Sequence, residues 1–140
     1  MKLSHNFTLA ELTRTDTRLP NEPTPEMLPR LIALAATLEN VRSLFNRPIL
    51  VSSGYRSKTV NDKVGGSDKS AHSLGYAADF TIKGLSVREV CEKLVQSNIK
   101  FDQLIDEKRG GASWIHLSVD PRMRGQVLTF RNGTYSQGLN

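Results

Sequence analysis

Apolar residues recur at helical spacing over one long stretch. Met27, Leu28, Leu31, Leu34, Ala35, Leu38, Val41 and Leu44 form a single stripe when wound at 3.6 residues per turn. Asn46-Arg47-Pro48 ends that helix, and Pro29 limits how early it can begin, because an interior proline loses a backbone hydrogen bond. The preceding TRLPNEPTPEM reads as a loop. Two shorter helices carry start signals of their own. Thr8-Leu9-Ala10-Glu11 and Ser86-Val87-Arg88-Glu89 both have the spacing of a capping box. The second opens a helix with Val87, Val90, Cys91, Leu94 and Val95 expected inward, and Lys58 to Val64 reads as a further short helix.

After residue 48 the pattern changes to strands. Ile49 to Ser53 is one, broken by Gly54. Ala77 to Ile82 is another, with Ala78, Phe80 and Ile82 on one face and Ala77, Asp79 and Thr81 on the other. Asp102 to Asp106 and Trp114 to Val119 follow, the latter with Trp114, His116 and Ser118 on one face. Val127 to Arg131, Asn132-Gly133 and Thr134-Tyr135 read as a terminal hairpin. Helices first and hairpin-linked strands later predict an α+β fold, a small antiparallel or mixed sheet with helices packed on one side.

The 140 residues suit a single domain, 1–140, expected to act as a monomer. Apolar content of 38% and charged content of 24% are ordinary for a globular chain. No apolar run approaches the roughly 20 residues of a spanning helix, so no membrane partner is expected. MKLSHNFTLAELTR lacks the apolar segment and cleavage site of a secretory leader, which predicts synthesis in the cytoplasm. The lone Cys91 allows neither an internal disulfide nor a thiolate metal site, and its pattern is that of a buried helix residue. A formal charge of +5 suits a polyanionic partner. The densest basic group, Arg122, Arg124 and Arg131, has no accompanying aromatic stacking pattern, so nucleic acid is not the expected partner.

Three histidines leave few ways to build a metal site, and two of them, His72 and His116, lie in or beside strands. Asp79 occupies the small, polar face of its strand. A buried carboxylate needs a partner, and a metal ion is one. Zinc accepts imidazole nitrogen and carboxylate oxygen, and catalytic zinc keeps three protein ligands and an open position. His72, Asp79 and His116 would supply that set. On spacing alone, hydrogen-bonded histidines and a turn-forming aspartate are the commoner readings.

SGYRS, GGSDKSAHSLGYAADF, FDQLIDE and SWIHLSV, in that order, resemble the motifs of the zinc D-alanyl-D-alanine carboxypeptidase family, in its short phage- and prophage-type members. The shared pattern is Ser70, His72, Gly75, Ala77 and Asp79, then Trp114 and His116, and FTLAELTR with the long helix is similar to the family's N-terminal part. The resemblance implies a Hedgehog/DD-peptidase fold, a bound Zn2+ held by His72, Asp79 and His116, and a peptidoglycan stem peptide as substrate. It implies either D-Ala-D-Ala carboxypeptidase or L-Ala-D-Glu endopeptidase activity, exerted on the cell wall after release from the cell. It assigns Arg56 a place near the substrate's carbonyl or carboxylate, which suits a planar, permanently charged guanidinium. It puts Ser70 beside the first ligand and Trp114 on the site wall, both toward substrate, and gives Gly75 a tight chain path.

One position departs from the family pattern. Several branches place a Glu or Asp three residues before the second histidine as general base, and here that position is Ser113. The resemblance then points to Glu107 as base, with Asp106 as the second choice. Regular alternation would put Gln103, Ile105 and Glu107 on one face and Asp102, Leu104 and Asp106 on the other. Ser113 also sustains a rival reading, a non-catalytic module that binds zinc and a wall peptide, or a virion component.

Overall fold

The computed structural model describes residues 1–140. In chain order the elements are helices α1 (Leu9–Leu12) and α2 (Met27–Phe45), strand β1 (Ile49–Ser53), helix α3 (Lys58–Lys63), strand β2 (Ala77–Ile82), helix α4 (Val87–Gln96), and strands β3 (Gln103–Arg109), β4 (Ala112–Ser118), β5 (Gln126–Arg131) and β6 (Thr134–Gln137). Both predicted capping boxes form. Thr8 and Ser86 accept from the backbone N–H of Glu11 and Glu89, whose side chains accept in return from the two cap N–H groups.

Helix α2 begins at Met27, two residues before Pro29. The proline sits within the first turn, where a missing N–H breaks no intrahelical bond. It therefore does not delay the start. Asn46 ends the helix with φ of 52°, in the left-handed region that asparagine tolerates.

The strands form a mixed sheet in the order β1-β2-β4-β3-β5-β6. All pairs are antiparallel except β3 with β5. The β5–β6 turn places Asn132 and Gly133 at φ of 47° and 96°, the positive pair that a two-residue hairpin requires. One sheet face meets the helices. Ala78, Phe80, Leu104, Ile115 and Leu117 from that face join Leu31, Leu34 and Leu38 of α2 and Val90, Cys91 and Leu94 of α4 in a single core. Burial pushes the Cys91 thiol up to about 12, as suits a packing residue and not a nucleophile. Val95 departs from its expected inward position and is 47% exposed. It follows Leu94 by about 100° around the helix, which carries it off the buried stripe.

The opposite face has its own small cluster, Ile105, Leu128 and Phe130. It is also the face that carries Asp79 and His116, so the sheet separates the helical core from the chemistry. No helix is long and apolar enough to cross a membrane.

Candidate metal centre and active-site cleft

The sheet register assembles the centre. Asp79 on β2 lies directly across from His116 on β4, and Ser53 on β1 lies across from Asp79 on the other side. The β1–β2 register shifts between Val51 and Ser53, so an extra residue kinks the edge strand beside the site. That kink leads into Gly54-Tyr55-Arg56. His72 arrives from the turn before β2, where its own backbone N–H donates to Ser70 Oγ at 3.2 Å. Ser70 thus shapes the turn that presents the first histidine, and Gly75 allows the chain to leave it with φ of 80°.

Three ligating atoms meet here, from His72, Asp79 and His116, all within 4.8 Å of one another and all on buried residues. The third histidine, His5, is exposed near the N-terminus and takes no part. His72 Nδ1 is 2.8 Å from the Gly54 carbonyl oxygen. A carbonyl can only accept, so Nδ1 carries the proton and a neutral ring presents a lone pair at Nε2. That lone pair faces Asp79 Oδ1 at 3.2 Å, and His116 Nδ1 faces the same oxygen at 3.0 Å. Acceptors turned toward one another at a shared focus are a donor set for a cation. The cluster is therefore capable of holding a metal ion, and its mix of two imidazoles and a carboxylate is one that zinc accepts.

Electrostatics keep Asp79 anionic. Burial pushes the Asp79 carboxyl up, but the His72 and His116 imidazoles outweigh it and hold the group well below the usual carboxylate range. Asp79 is thus available as an anionic ligand. Arg56 Nη2 stands 3.6 Å from Asp79 Oδ2, while its other nitrogens donate to Ser53 Oγ and Asn61 Oδ1, each at 3.2 Å. Burial pulls the Arg56 guanidinium down from its usual value, and Asp79 and Glu107 partly offset that.

Glu107 stands beside the centre. Its Oε1 lies 3.9 Å from His116 Nδ1, and it pairs across the sheet with Trp114. Burial, and then the Asp79 charge, raise the Glu107 carboxyl above the ordinary glutamate value. Asp106 points the other way. It is buried on the helical face, bonded to Arg131 Nη2 at 3.1 Å and 3.7 Å from Arg88 Nη1. Ser113 also belongs to that opposite side, lining a groove with Asp106 and Arg88. Strand β4 begins at Ala112, so pleating runs unbroken to His116 and turns the third residue before it away from the cluster. The chain thus offers Glu107, and neither Asp106 nor Ser113, to the centre.

His72, Asp79, His116, Arg56, Glu107, Ser70 and Trp114 all line one cleft, of about 590 Å³. Trp114 is half-buried there with its indole N–H unpartnered. Tyr135 of β6 closes the same cleft, its phenol pushed up by burial and by the Glu107 charge.

Several supporting residues have no sequence signature. Asn61 orients Arg56 and donates to the Ser67 carbonyl at 2.8 Å. Asn21 donates to the carbonyls of Thr13 and Tyr55 and accepts from the Ser57 N–H, which staples the loop before α2 to SGYRS. Gly54 holds His72 through its carbonyl while pressed against α1: a Cβ there would collide with the Leu12 carbonyl. Gly54→Ala should therefore displace the oxygen that orients His72 and weaken metal binding by about 10–100-fold, the usual effect of losing such support. Competition titration against a chromophoric chelator measures this. Unchanged affinity would mean that the Gly54 carbonyl does not position the ligand.

On fold and site together, the chain falls in the class of α+β proteins with a two-histidine, one-carboxylate metal-binding cluster. Residues 5–118 match the family Peptidase M15, and the chain belongs to that family. Among curated proteins it is similar to the zinc D-Ala-D-Ala carboxypeptidase of Streptomyces albus G, with 38% identity over 78 residues. That alignment covers 54% of this chain and 31% of the relative, so the match spans less than a third of that protein's own length.

Proposed function

We propose that this protein is a zinc-dependent peptidase that hydrolyses peptide bonds in peptidoglycan stem peptides. The observation that carries the reading is the placement of Glu107 3.9 Å from His116, in the cleft that holds the three-residue cluster. Membership of Peptidase M15 supports it, and so does the name of the Streptomyces relative, which favours removal of a terminal D-alanine over internal cleavage. The cell wall, where that substrate lies, is the proposed site of action.

His72, Asp79 and His116 would hold the zinc. When bound, the ion supplies Lewis acidity, lowering the pKa of a water toward neutrality and polarising a carbonyl. Glu107 takes the proton of the attacking water and returns it to the departing amine. Arg56, charged and anchored by Ser53 and Asn61, holds a substrate carboxylate or the negative charge that develops on the carbonyl oxygen. Ile105 and Phe130 supply apolar surface to the cleft lining. Ser113 was the residue that favoured a non-catalytic module. Since it faces away and Glu107 faces in, the module loses that support.

The direct test is incubation with purified peptidoglycan, with and without a chelator, followed by mass spectrometry of the released products. Chelator-sensitive release of D-alanine is expected. No release from a zinc-loaded sample would overturn the peptidase reading, and new internal termini would replace carboxypeptidase by endopeptidase action. The pH profile gives a second check. Glu107 must be ionised to act, and its surroundings make it hold its proton to higher pH than a free glutamate. Lowering the pH therefore extinguishes kcat/KM as Glu107 takes up its proton. An acidic limb that survives unchanged in the residual activity of Glu107→Gln would remove Glu107 from the role.

A further inference from the structure

The cleft holds a second arginine that this chemistry does not use. Arg109 ends β3 two residues after Glu107, so pleating places both on the cleft face. Its guanidinium lies over the Phe130 ring, 5.3 Å from the centroid. Phe130 is the cross-strand neighbour of both Glu107 and Tyr135, and the Phe130 and Tyr135 rings pack with centroids 4.6 Å apart. Phe130 lies under the guanidinium, and Tyr135 packs against the side of that ring. The cation–π contact holds the guanidinium at the cleft rim, and no carboxylate of the chain occupies its N–H groups.

Arg109 is exposed and has no ion-pair partner. Asp79 is engaged by Arg56 and both histidines, and Glu107 faces His116. The sheet order also sets Arg109 apart from Arg56. Arg56 follows the edge strand β1, Asp79 and His116 of the cluster lie on β2 and β4, and Arg109 ends β3 on the β5 side. The two cations flank the centre on opposite sides. The matched family region ends at residue 118, so the β5–β6 wall lies beyond it.

We propose that Arg109, stacked on Phe130 and bordered by Tyr135, is a substrate-binding residue that takes a free carboxylate of the peptide on the side of the scissile bond away from Arg56. The inference rests on the peptidase reading and deepens it. The preferred substrate carries two carboxylates, one terminal and close to Arg56, and one displaced from the scissile bond, as on a γ-linked D-glutamate. Peptides amidated at that second position are poor ligands.

The test uses three synthetic stem peptides ending in D-Ala-D-Ala: one with both carboxylates free, one amidated at D-glutamate, and one amidated at the C-terminus. Their binding is measured by calorimetry on zinc-loaded Glu107→Gln protein, which does not consume them, with and without Arg109→Gln. Amidation at D-glutamate should weaken binding about tenfold, as expected for loss of a charge-assisted hydrogen bond. Arg109→Gln should abolish that difference, leave the penalty for C-terminal amidation intact, and bind the D-glutamate-amidated peptide as before. Arg109→Lys should restore part of the preference. The proposal is overturned if the free and D-glutamate-amidated peptides bind alike, or not at all, before Arg109 is changed. It is also overturned if Arg109→Gln weakens all three equally, or erases the C-terminal preference instead. Chelator-sensitive hydrolysis by the unmodified protein is scored separately. Its absence defeats the peptidase reading, whereas the binding ratios report on Arg109 alone.

Discussion

Asp79→Ala is expected to abolish stoichiometric zinc binding and, with it, all peptide hydrolysis. The substitution removes one of three ligands and leaves His72 Nε2 and His116 Nδ1 without the oxygen they share. It also releases Arg56, whose Nη2 is 3.6 Å from the lost carboxylate. An uncompensated guanidinium then faces the metal position and repels the cation that the histidines alone would have to hold. Asp79→Asn keeps the shape of the side chain and controls for collapse of the strand. Its amide carries no charge, so it should also lose zinc. Metal analysis after dialysis, with circular dichroism to confirm the fold, measures both. Zinc remaining at one per chain in either folded variant would sink the ligand assignment.

Glu107→Gln is expected to retain zinc and lose turnover. The amide is nearly isosteric and lies outside the ligand set, but it cannot take a proton from water at neutral pH. A fall in kcat of about 10²–10⁴-fold is the usual cost of removing a positioned general base. KM should change little, because the loss falls on the chemical step. Asp106→Asn is the informative comparison. Asp106 is buried against Arg131 and Arg88 on the far side of the sheet, so its loss should lower stability and leave kcat largely intact. If Asp106→Asn stopped turnover in a folded protein while Glu107→Gln did not, the base would have been placed on the wrong face.

Much of this protein was legible in its sequence, for local reasons. The capping boxes at Thr8 and Ser86, the long stripe of α2, the strand at Ala77–Ile82 and the Asn132-Gly133 turn depend on neighbours within a few residues. So did the alternation that separates Glu107 from Asp106. The misreadings were local too. Pro29 lies in the first turn of α2, where proline does no harm, and Val95 sits just off the buried stripe of α4.

The residues of the His72, Asp79 and His116 cluster were legible only as types at suggestive spacing. The pairing of β2 with β4 sets Asp79 opposite His116, although 37 residues separate them, and β1 at the edge delivers the Gly54 carbonyl to His72. Backbone oxygens and the asparagines that orient Arg56 leave no pattern in the chain, because any residue has a carbonyl and any surface may carry an Asn. Alternation alone could say that Glu107 and Asp106 face apart, but not which of them faces the metal. That depended on which side of the sheet the helices covered. The helical core claims the face of Phe80, Leu104 and Ile115, so Asp106 is sealed among arginines at its border and Glu107 is left in the cleft. The sequence by itself determined the elements and the kinds of ligand, since these follow from short-range pattern. Which carboxylate lies in the cleft, and the meeting of His72, Asp79 and His116, were decided by the tertiary structure, since register and burial join residues that the chain keeps far apart.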